Sequence, residues 1–216
     1  MGTIRDMNGN VVGEIDNGKV FGKPFLCVYG KQKPRNWSED TIERPLADGL
    51  TAYVRFEASS EVLDILRNEH GDSIGATVIA TKDHLQLLGL SEDELFEQAD
   101  KNTIPKVKQI EEFVEAIGVP TLNTGMPLFV VESKRDRYGA GILASEGFLS
   151  WMYEHIGAYT IIPSSIHEII VVPQELAPRA KEMCEMIRDV NSTEVLEEDQ
   201  LSDIAYMYDE TGLHTA

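Results

Sequence analysis

Residues 161–173, with the sequence IIPSSIHEIIVVP, decide the fold class because two apolar runs flank a short polar centre. Residues 159–162 and 166–172 have the length and the β-branched content of strands. Between them, Pro163, Ser164 and Ser165 favour a turn. We therefore predict two strands joined by a short connection, and strands joined so closely pair antiparallel.

Paired strands of this kind recur along the chain, interleaved with helices. Further strands are predicted over residues 24–29, 50–57, 74–81, 128–133, 139–143 and 205–208, with 128–133 and 139–143 forming one hairpin. Helices are predicted over residues 60–69, 92–102, 105–117, 146–155 and 176–190, and residues 84–90 are expected to be extended or to form a turn. The fold class is therefore α+β, with a mixed and mainly antiparallel sheet and packed helices.

The N-terminal region is expected to form a β-hairpin extension. Residues 3–7 and 11–15 flank Asn8-Gly9-Asn10, and Asn-Gly is a strong hairpin-turn signal. Residues 30–48 are polar and contain two prolines, which predicts a loop or linker. We therefore divide the chain into an extension (1–48), an α+β domain (49–212) and a frayed tail (213–216).

Composition places the chain among globular proteins. Of its 216 residues, 42% are hydrophobic and 26% are charged. No apolar run approaches the roughly 20 residues of a membrane-spanning helix, and the first residues lack the apolar stretch of a signal peptide. Cys27 and Cys184 are too few for a disulfide framework. We expect a protein without a membrane segment in a reducing, cytoplasmic setting.

Charge is distributed unevenly. The chain has 37 acidic and 19 basic residues, for a net charge of −18, yet residues 1–35 carry a net charge of +3. After Arg188 there are eight acidic residues and no basic one. Direct binding of nucleic acid is therefore disfavoured. The acidic end predicts a solvated surface, a site for a basic partner, or a surface that pairs with the basic segment of a second copy in a homodimer.

The polar centre of residues 161–173 is the candidate catalytic site. The chain contains no GxGxxG, Walker, GxSxG or HExxH motif. On a strand, Ser165 and His167 would share one face and Glu168 would lie on the other. His167 could then act as a general base or a metal ligand beside Ser165, with Glu168 in support. Alternatively, Ser164 and Ser165 are turn residues and His167 is a hydrogen-bonded packing residue.

Three residues are candidates for binding: Ser164, Asn191 and Trp37. Asn191 follows the last periodic turn of a predicted helix, so it could equally be a helix C-cap. Trp37 is flanked by polar residues and could either anchor a partner or cover its own core. The histidines are scattered across separate elements, so we expect neither a metal site nor a cofactor.

Several phrases resemble DUF5688, an uncharacterised family found mainly in gut Clostridia and their relatives. They are DHLQLLGL with EDELF (83–96), MPLFVV (126–131), Gly139-Ala140, PSSIHEIIVVP (163–173), MIRDVNSTEV (186–195), LSD (201–203) and YMYD (206–209). The resemblance covers roughly residues 75–210 and implies a bacterial cytoplasmic protein with no established activity. It also implies that Ser164, Ser165, His167, Glu168 and Asn191 are characteristic positions of the family.

Three functional hypotheses follow, and the sequence leans away from an enzyme. The first is a non-enzymatic, acidic, intracellular binding or regulatory protein that acts on another protein. The second is a small hydrolase or transferase that uses Ser165 and His167, with Glu168 or Asn191 in support. The third is a mimic of nucleic-acid charge that blocks a DNA- or RNA-binding protein.

Overall fold

The computed structural model describes residues 2–5, 11–15, 20–60, 77–109, 127–135 and 137–216, with backbone alone for 2–5 and 11–15. Its strands are β1 (Gly2–Arg5), β2 (Val11–Ile15), β3 (Phe21–Tyr29), β4 (Glu43–Ala47), β5 (Leu50–Ala58), β6 (Thr77–Ile79), β7 (Pro105–Gln109), β8 (Phe129–Ser133), β9 (Tyr159–Ile162), β10 (Glu168–Pro173), β11 (Tyr206–Asp209) and β12 (Gly212–Thr215). Its α-helices are α1 (Lys82–Leu88), α2 (Glu92–Asn102), α3 (Glu146–Ile156) and α4 (Ala180–Thr193).

These elements confirm the predicted α+β class. A six-stranded sheet has the order β12-β11-β9-β10-β8-β7, and every neighbouring pair in it is antiparallel. A four-stranded sheet contains β3, β5, β4 and β6. The N-terminal hairpin is also confirmed, because β1 pairs antiparallel with β2.

Elements with strong local signals form where the sequence predicts them. Helix α2 begins with the capping box of Ser91 and Glu94: each backbone N–H of the two residues donates to the side chain of the other. Helix α3 is capped by Ser145, whose hydroxyl accepts from the backbone N–H of Phe148. Strands β9 and β10 are paired, with Ile170 opposite Ile162.

The helix predicted over residues 105–117 is wrong over its first turn, which forms strand β7. Lys106 lies opposite Glu132 of β8 in the antiparallel register. The Nζ atom of Lys108 lies 2.8 Å from Glu132 Oε2, and that of Lys106 lies 3.6 Å away. Opposite charges across two strands stabilise their pairing, which a search for helical periodicity does not register.

The second strand predicted at residues 139–143 is also wrong, because Gly139–Ala144 is a 3-10 helix. A Cβ atom built on Gly139 would overlap the carbonyl oxygen of His167 and lie close to the backbone of Ser133. The backbone of Ala140 donates to the carbonyl of Ile166 at 3.2 Å. Close packing of small residues against a neighbouring backbone therefore overrides the local apolar pattern.

Three shorter segments differ from expectation. Residues 84–88 belong to α1, and Gly89, with φ +67°, is its C-cap. The predicted linker contains β4, which is joined to β5 through Asp48 and Gly49, with Gly49 at φ +74°. The predicted tail contains β12, where His214 Nε2 lies 3.2 Å from Asp209 Oδ2. Each of these three segments depends on a partner strand or on a residue with positive φ, and neither can be recognised from the polarity of neighbouring residues.

Some predictions lie outside the described residues: the turn at 8–10, the helix at 61–69, the strand at 74–76 and the helix at 110–117. In the described part of the chain, no helix combines the length and the apolar character needed to cross a membrane.

Backbone contacts divide the chain into two compact units. The first contains residues 1–26, 36–43 and 53–102, and the second contains 27–35, 44–52 and 103–216. The predicted boundary near residue 48 stays a prediction, because compactness does not test which segments fold independently.

The core of the second unit lies between its sheet and helices α3 and α4. Ile161, Ile169 and Tyr159 of the central strands are fully buried. Helix α4 contributes Met183 and Ile187, which are 2% and 4% exposed and pack in a cluster with Ala205, Ile162 and Ala177. This packing holds the β9–β10 connection beside α4, where the candidate residues lie.

A close backbone approach fixes the basic segment 27–35 to the C-terminal region of the same unit. The backbone N–H of Lys31 donates to the carbonyl oxygen of Leu201 at 3.0 Å. A Cβ atom built on Gly30 would overlap that same carbonyl oxygen, so the position requires glycine.

We expect Gly30→Ala to lower the free energy of unfolding by at least about 1 kcal/mol, because the new methyl group forces two backbones apart. Urea denaturation measures the loss. Gly147→Ala is the matched control: it lies in helix α3 with nothing within 4 Å of the added Cβ. The control should be neutral or stabilising by up to about 1 kcal/mol. Equal stability of Gly30→Ala and wild type would contradict the close approach.

Candidate functional site

Glu168 is the acceptor around which the β9–β10 connection folds. Its Oε1 atom accepts from the hydroxyl of Ser164 at 3.0 Å and from that of Ser165 at 3.3 Å. The backbone N–H of Ser165 also donates to the Glu168 carbonyl at 3.1 Å. The Ser165 hydroxyl in turn accepts from the backbone N–H of His167 at 3.1 Å, and Ser165 is 7% exposed. The two serine hydroxyls are therefore committed to closing the turn.

His167 directs its ring away from these hydroxyls. Its Nδ1 atom accepts from the backbone N–H of Tyr138 at 3.3 Å, so the ring proton resides on Nε2. Nε2 lies 3.5 Å from Asp199 Oδ1, and 36% of the His167 side chain is exposed. The imidazole thus links the segment before residue 139 to the acidic segment at residue 199.

The residue that donates to the His167 ring, Tyr138, has an uncommon backbone conformation. Tyr138 has φ +57°, in the left-handed region that costs a non-glycine residue roughly 1–2 kcal/mol. Gly139 follows, pressed against the carbonyl of His167. Such a conformation persists where the surrounding structure fixes it, and the Tyr138–His167 bond is one of its constraints.

The predicted alternation of faces at this site is wrong. Strand β10 begins at Glu168, so residues 164–167 form a turn in which no strand periodicity applies. The structure brings Glu168 to Ser164 and Ser165, and neither ring nitrogen of His167 is hydrogen-bonded to the Ser165 hydroxyl. The side chains of Ser165, His167 and Glu168 belong to one turn, but the serine–imidazole bond that would activate a nucleophile is absent from it.

A groove of about 140 Å³ lies between the β9–β10 pair and helix α4. Two of the predicted binding residues, Ser164 and Asn191, form part of its wall. The remaining lining is apolar and comes from both elements: Ile162, Pro163, Ile170, Met186, Ile187 and Val190. The arrangement can receive an apolar group but presents few polar atoms to it.

Asn191 is buried in the last turn of α4, so its predicted role as C-cap is wrong; the cap is Glu194. The side-chain amide donates to the carbonyl of Ser202 at 3.0 Å and to Asp203 Oδ1 at 2.9 Å. The backbone carbonyl of Asn191 accepts from the side chain of Gln200 at 2.6 Å. Asn191 therefore ties residues 200–203 to the helix.

Basic residues of segment 27–35 complete this network. Lys31 Nζ lies 2.5 Å from Asp203 Oδ1 and donates to Gln200 Oε1 at 2.9 Å. Arg35 pairs with Glu198 at 2.8 Å. Part of the basic N-terminal charge is thus matched to the acidic C-terminal region within one chain, without a second copy. Sequence reasoning missed Lys31, Gln200 and Asp199, and only the opposite charges of the two segments hinted at the pairing.

Neighbouring groups change the pKa of the Asp203 carboxyl group. Partial burial acts to raise the pKa of its carboxyl group. Hydrogen bonds from Lys31 and Asn191, with the positive charges of Lys31 and Arg188, outweigh that effect and hold the pKa below its ordinary value.

Trp37 is half-buried and lies in the first unit, where its ring meets Tyr53 edge-on with centroids 5.6 Å apart. It is not part of the wall of the groove. Across the described residues, no group of three or more histidine, cysteine, aspartate or glutamate side chains is arranged to hold a metal ion.

Together, the fold and this region define an α+β protein with a small apolar groove beside a strongly acidic C-terminal segment. The chain belongs to the DUF5688 family, a family of unknown function whose model matches residues 52–210. The match confirms the resemblance and extends it upstream of residue 75. No curated protein and no solved structure matches the chain.

We expect Asn191→Ala to lower the free energy of unfolding by about 2–3 kcal/mol, because it removes one buried and one partly buried hydrogen bond and takes the donor away from the Ser202 carbonyl. Urea denaturation measures the change. Ser192→Ala is the control, since Ser192 is exposed on the same turn. If both variants lost the same small amount, Asn191 would not be the tie that holds residues 200–203.

A second prediction concerns pH. Because the pKa of Asp203 is lower in the folded state, its carboxylate stabilises the fold above its ordinary pKa of 3.8, and this contribution is lost as pH falls through the lower, folded-state value. Asp203→Asn should therefore be less stable than wild type at pH 6, and the gap should close below about pH 4. Thermal unfolding across this range, with Asp189→Asn as the exposed control, gives the comparison. A gap that widens on acidification would contradict the assignment.

Proposed function

We propose that the protein is a non-enzymatic binding or regulatory protein that acts on a basic protein partner through its acidic C-terminal region. The observation that carries this proposal is the charge of residues 189–210, which contain eight acidic residues and no basic one. Polar contacts with Lys31, Arg35, His167 and His214 engage four of these carboxylates. The other four, Asp189, Glu194, Glu197 and Glu210, are exposed.

Exposed carboxylates without a local cation create a negative potential that attracts a positively charged surface. Within the described parts of the chain, Glu194 and Glu197 form no ion pair. A basic protein can approach them without first breaking an internal bond. Charge complementarity of this kind chiefly speeds association and selects the partner.

The geometry gives less support to a hydrolase or transferase. That alternative needs the imidazole of His167 to accept the proton of the Ser165 hydroxyl, whereas the hydroxyl donates to Glu168. Charge mimicry of nucleic acid also gains less support. It needs unpaired carboxylates in a regular row, and half of the eight acidic residues are engaged by neighbouring basic groups.

The test compares two double variants of equal charge change. Glu194→Gln with Glu197→Gln neutralises the acidic region, and Glu154→Gln with Glu175→Gln neutralises two exposed residues elsewhere. Affinity capture from a bacterial extract is carried out with wild type and with both double variants. Wild type and the control should retain proteins that the Glu194 and Glu197 variant does not retain. A captured protein is then purified and titrated by calorimetry.

We expect the Glu194 and Glu197 variant to bind that protein about five-fold or more weakly, since each exposed charge contributes up to about 1 kcal/mol. Higher salt should weaken wild-type binding as well, because exposed charges are screened. Equal binding by both double variants, or hydrolysis or modification of the captured protein that stops in Ser165→Ala, would overturn the proposal.

A further inference from the structure

The groove between the β9–β10 pair and helix α4 leaves apolar side chains of the helix uncovered. Met186 is 45% exposed and Val190 is 43% exposed, and they stand one turn apart on the same face. The adjoining Ile187 is 4% exposed and belongs to the core. Met186 and Val190 therefore form the exposed rim of the groove, and the buried Ile187 forms part of its floor. They are a continuous apolar surface and not isolated exposed residues.

The size of the groove indicates what it can receive. Pockets for small-molecule ligands usually enclose about 300–1,000 Å³. The groove encloses about 140 Å³, which suits one large apolar side chain. A methionine at the rim favours such an anchor, because its unbranched thioether adapts to different shapes.

The charge around one end of the groove indicates what should flank that side chain. Glu194 follows Val190 by four residues, and its N–H still donates to the Val190 carbonyl at 2.8 Å, so it stands on the groove face of α4. The C-terminal end of a helix carries a partial negative charge, and the last turn of α4 contains no basic residue to offset it. Arg188 lies two residues from both Met186 and Val190, so it projects from a different face of α4, where its charge acts on Asp203.

We propose that this groove receives one large apolar side chain from a basic segment of another protein, with a lysine or arginine of that segment placed against Glu194 and the C-terminal end of α4. This inference rests on the proposed function and gives it a site. A second copy of the chain is the less favourable occupant, because it would bring another chain of net charge −18 to an acidic end of the groove.

The probe is a displayed library of random 12-residue peptides selected on the full wild-type chain. Enriched peptides should share a large apolar residue flanked by lysine or arginine. Their dissociation constants are then measured by fluorescence anisotropy against three proteins: wild type, Met186→Gln with Val190→Thr, and Leu87→Gln with Leu176→Gln. The last is the control, since Leu87 and Leu176 are 50% and 41% exposed elsewhere on the surface.

We expect binding to the groove variant to weaken at least ten-fold and binding to the control to stay within two-fold of wild type. In protein with ¹³C-labelled methionine methyl groups, the peptide should shift the Met186 resonance, which is assigned by its loss in Met186→Gln. Replacing the apolar anchor of the peptide with serine should abolish that shift.

Other outcomes separate the two proposals. Peptides that lose affinity for Glu194→Gln with Glu197→Gln but not for the groove variant would overturn the groove and leave the acidic region as the binding surface. Peptides without basic residues that bind all variants equally would count against both proposals. Light scattering tests whether a second copy occupies the groove. If wild type were a dimer and Met186→Gln with Val190→Thr were a monomer, a second copy would be the occupant and the proposal of a basic segment would be overturned.

Discussion

The side-chain amide of Asn191 is the contact on which the C-terminal part of the second unit depends. It is buried in helix α4 and donates to both the Ser202 carbonyl and the Asp203 carboxylate. Those bonds place Asp203 where Lys31 reaches it. They also place the Leu201 carbonyl against the backbone of Gly30. This one amide therefore helps to fix a segment distant in sequence, because leaving a buried polar group without a partner costs free energy.

The same residue connects stability to the proposed binding surface. Asn191 forms part of the groove wall, so the bonds that hold residues 200–203 also fix that end of the groove. Met186 and Val190 lie on the preceding turns of the same helix, beside Met183 and Ile187, which are buried and hold the helix on the core. The groove is therefore present in the chain without a bound partner, and a preformed site would lower the ordering cost of the proposed binding.

What the sequence predicts correctly is local, and what it misses depends on partners distant in sequence. Strands β9 and β10, the Ser91–Glu94 capping box and helix α3 follow from residues within one turn or one strand. Strand β7 depends on Glu132 across the sheet, and the 3-10 helix at Gly139 depends on the backbone of His167. At the site, two of the predicted binding residues, Ser164 and Asn191, line the groove. Met186 and Val190 are not among the predicted binding residues, because helical periodicity predicts that the apolar residues of an amphipathic helix are buried, whereas both are exposed.

The register of the large sheet gives the serine pair a structural role. Glu168 lies directly opposite Glu132 in the β8–β10 pairing, and like charges in that relation destabilise a sheet. Lys108 neutralises Glu132 from β7, while the hydroxyls of Ser164 and Ser165 solvate Glu168 from the turn. Each carboxylate is thus stabilised by groups from its own neighbouring segment. The two hydroxyls of the turn therefore stabilise Glu168 at the position where the register places it opposite a second carboxylate.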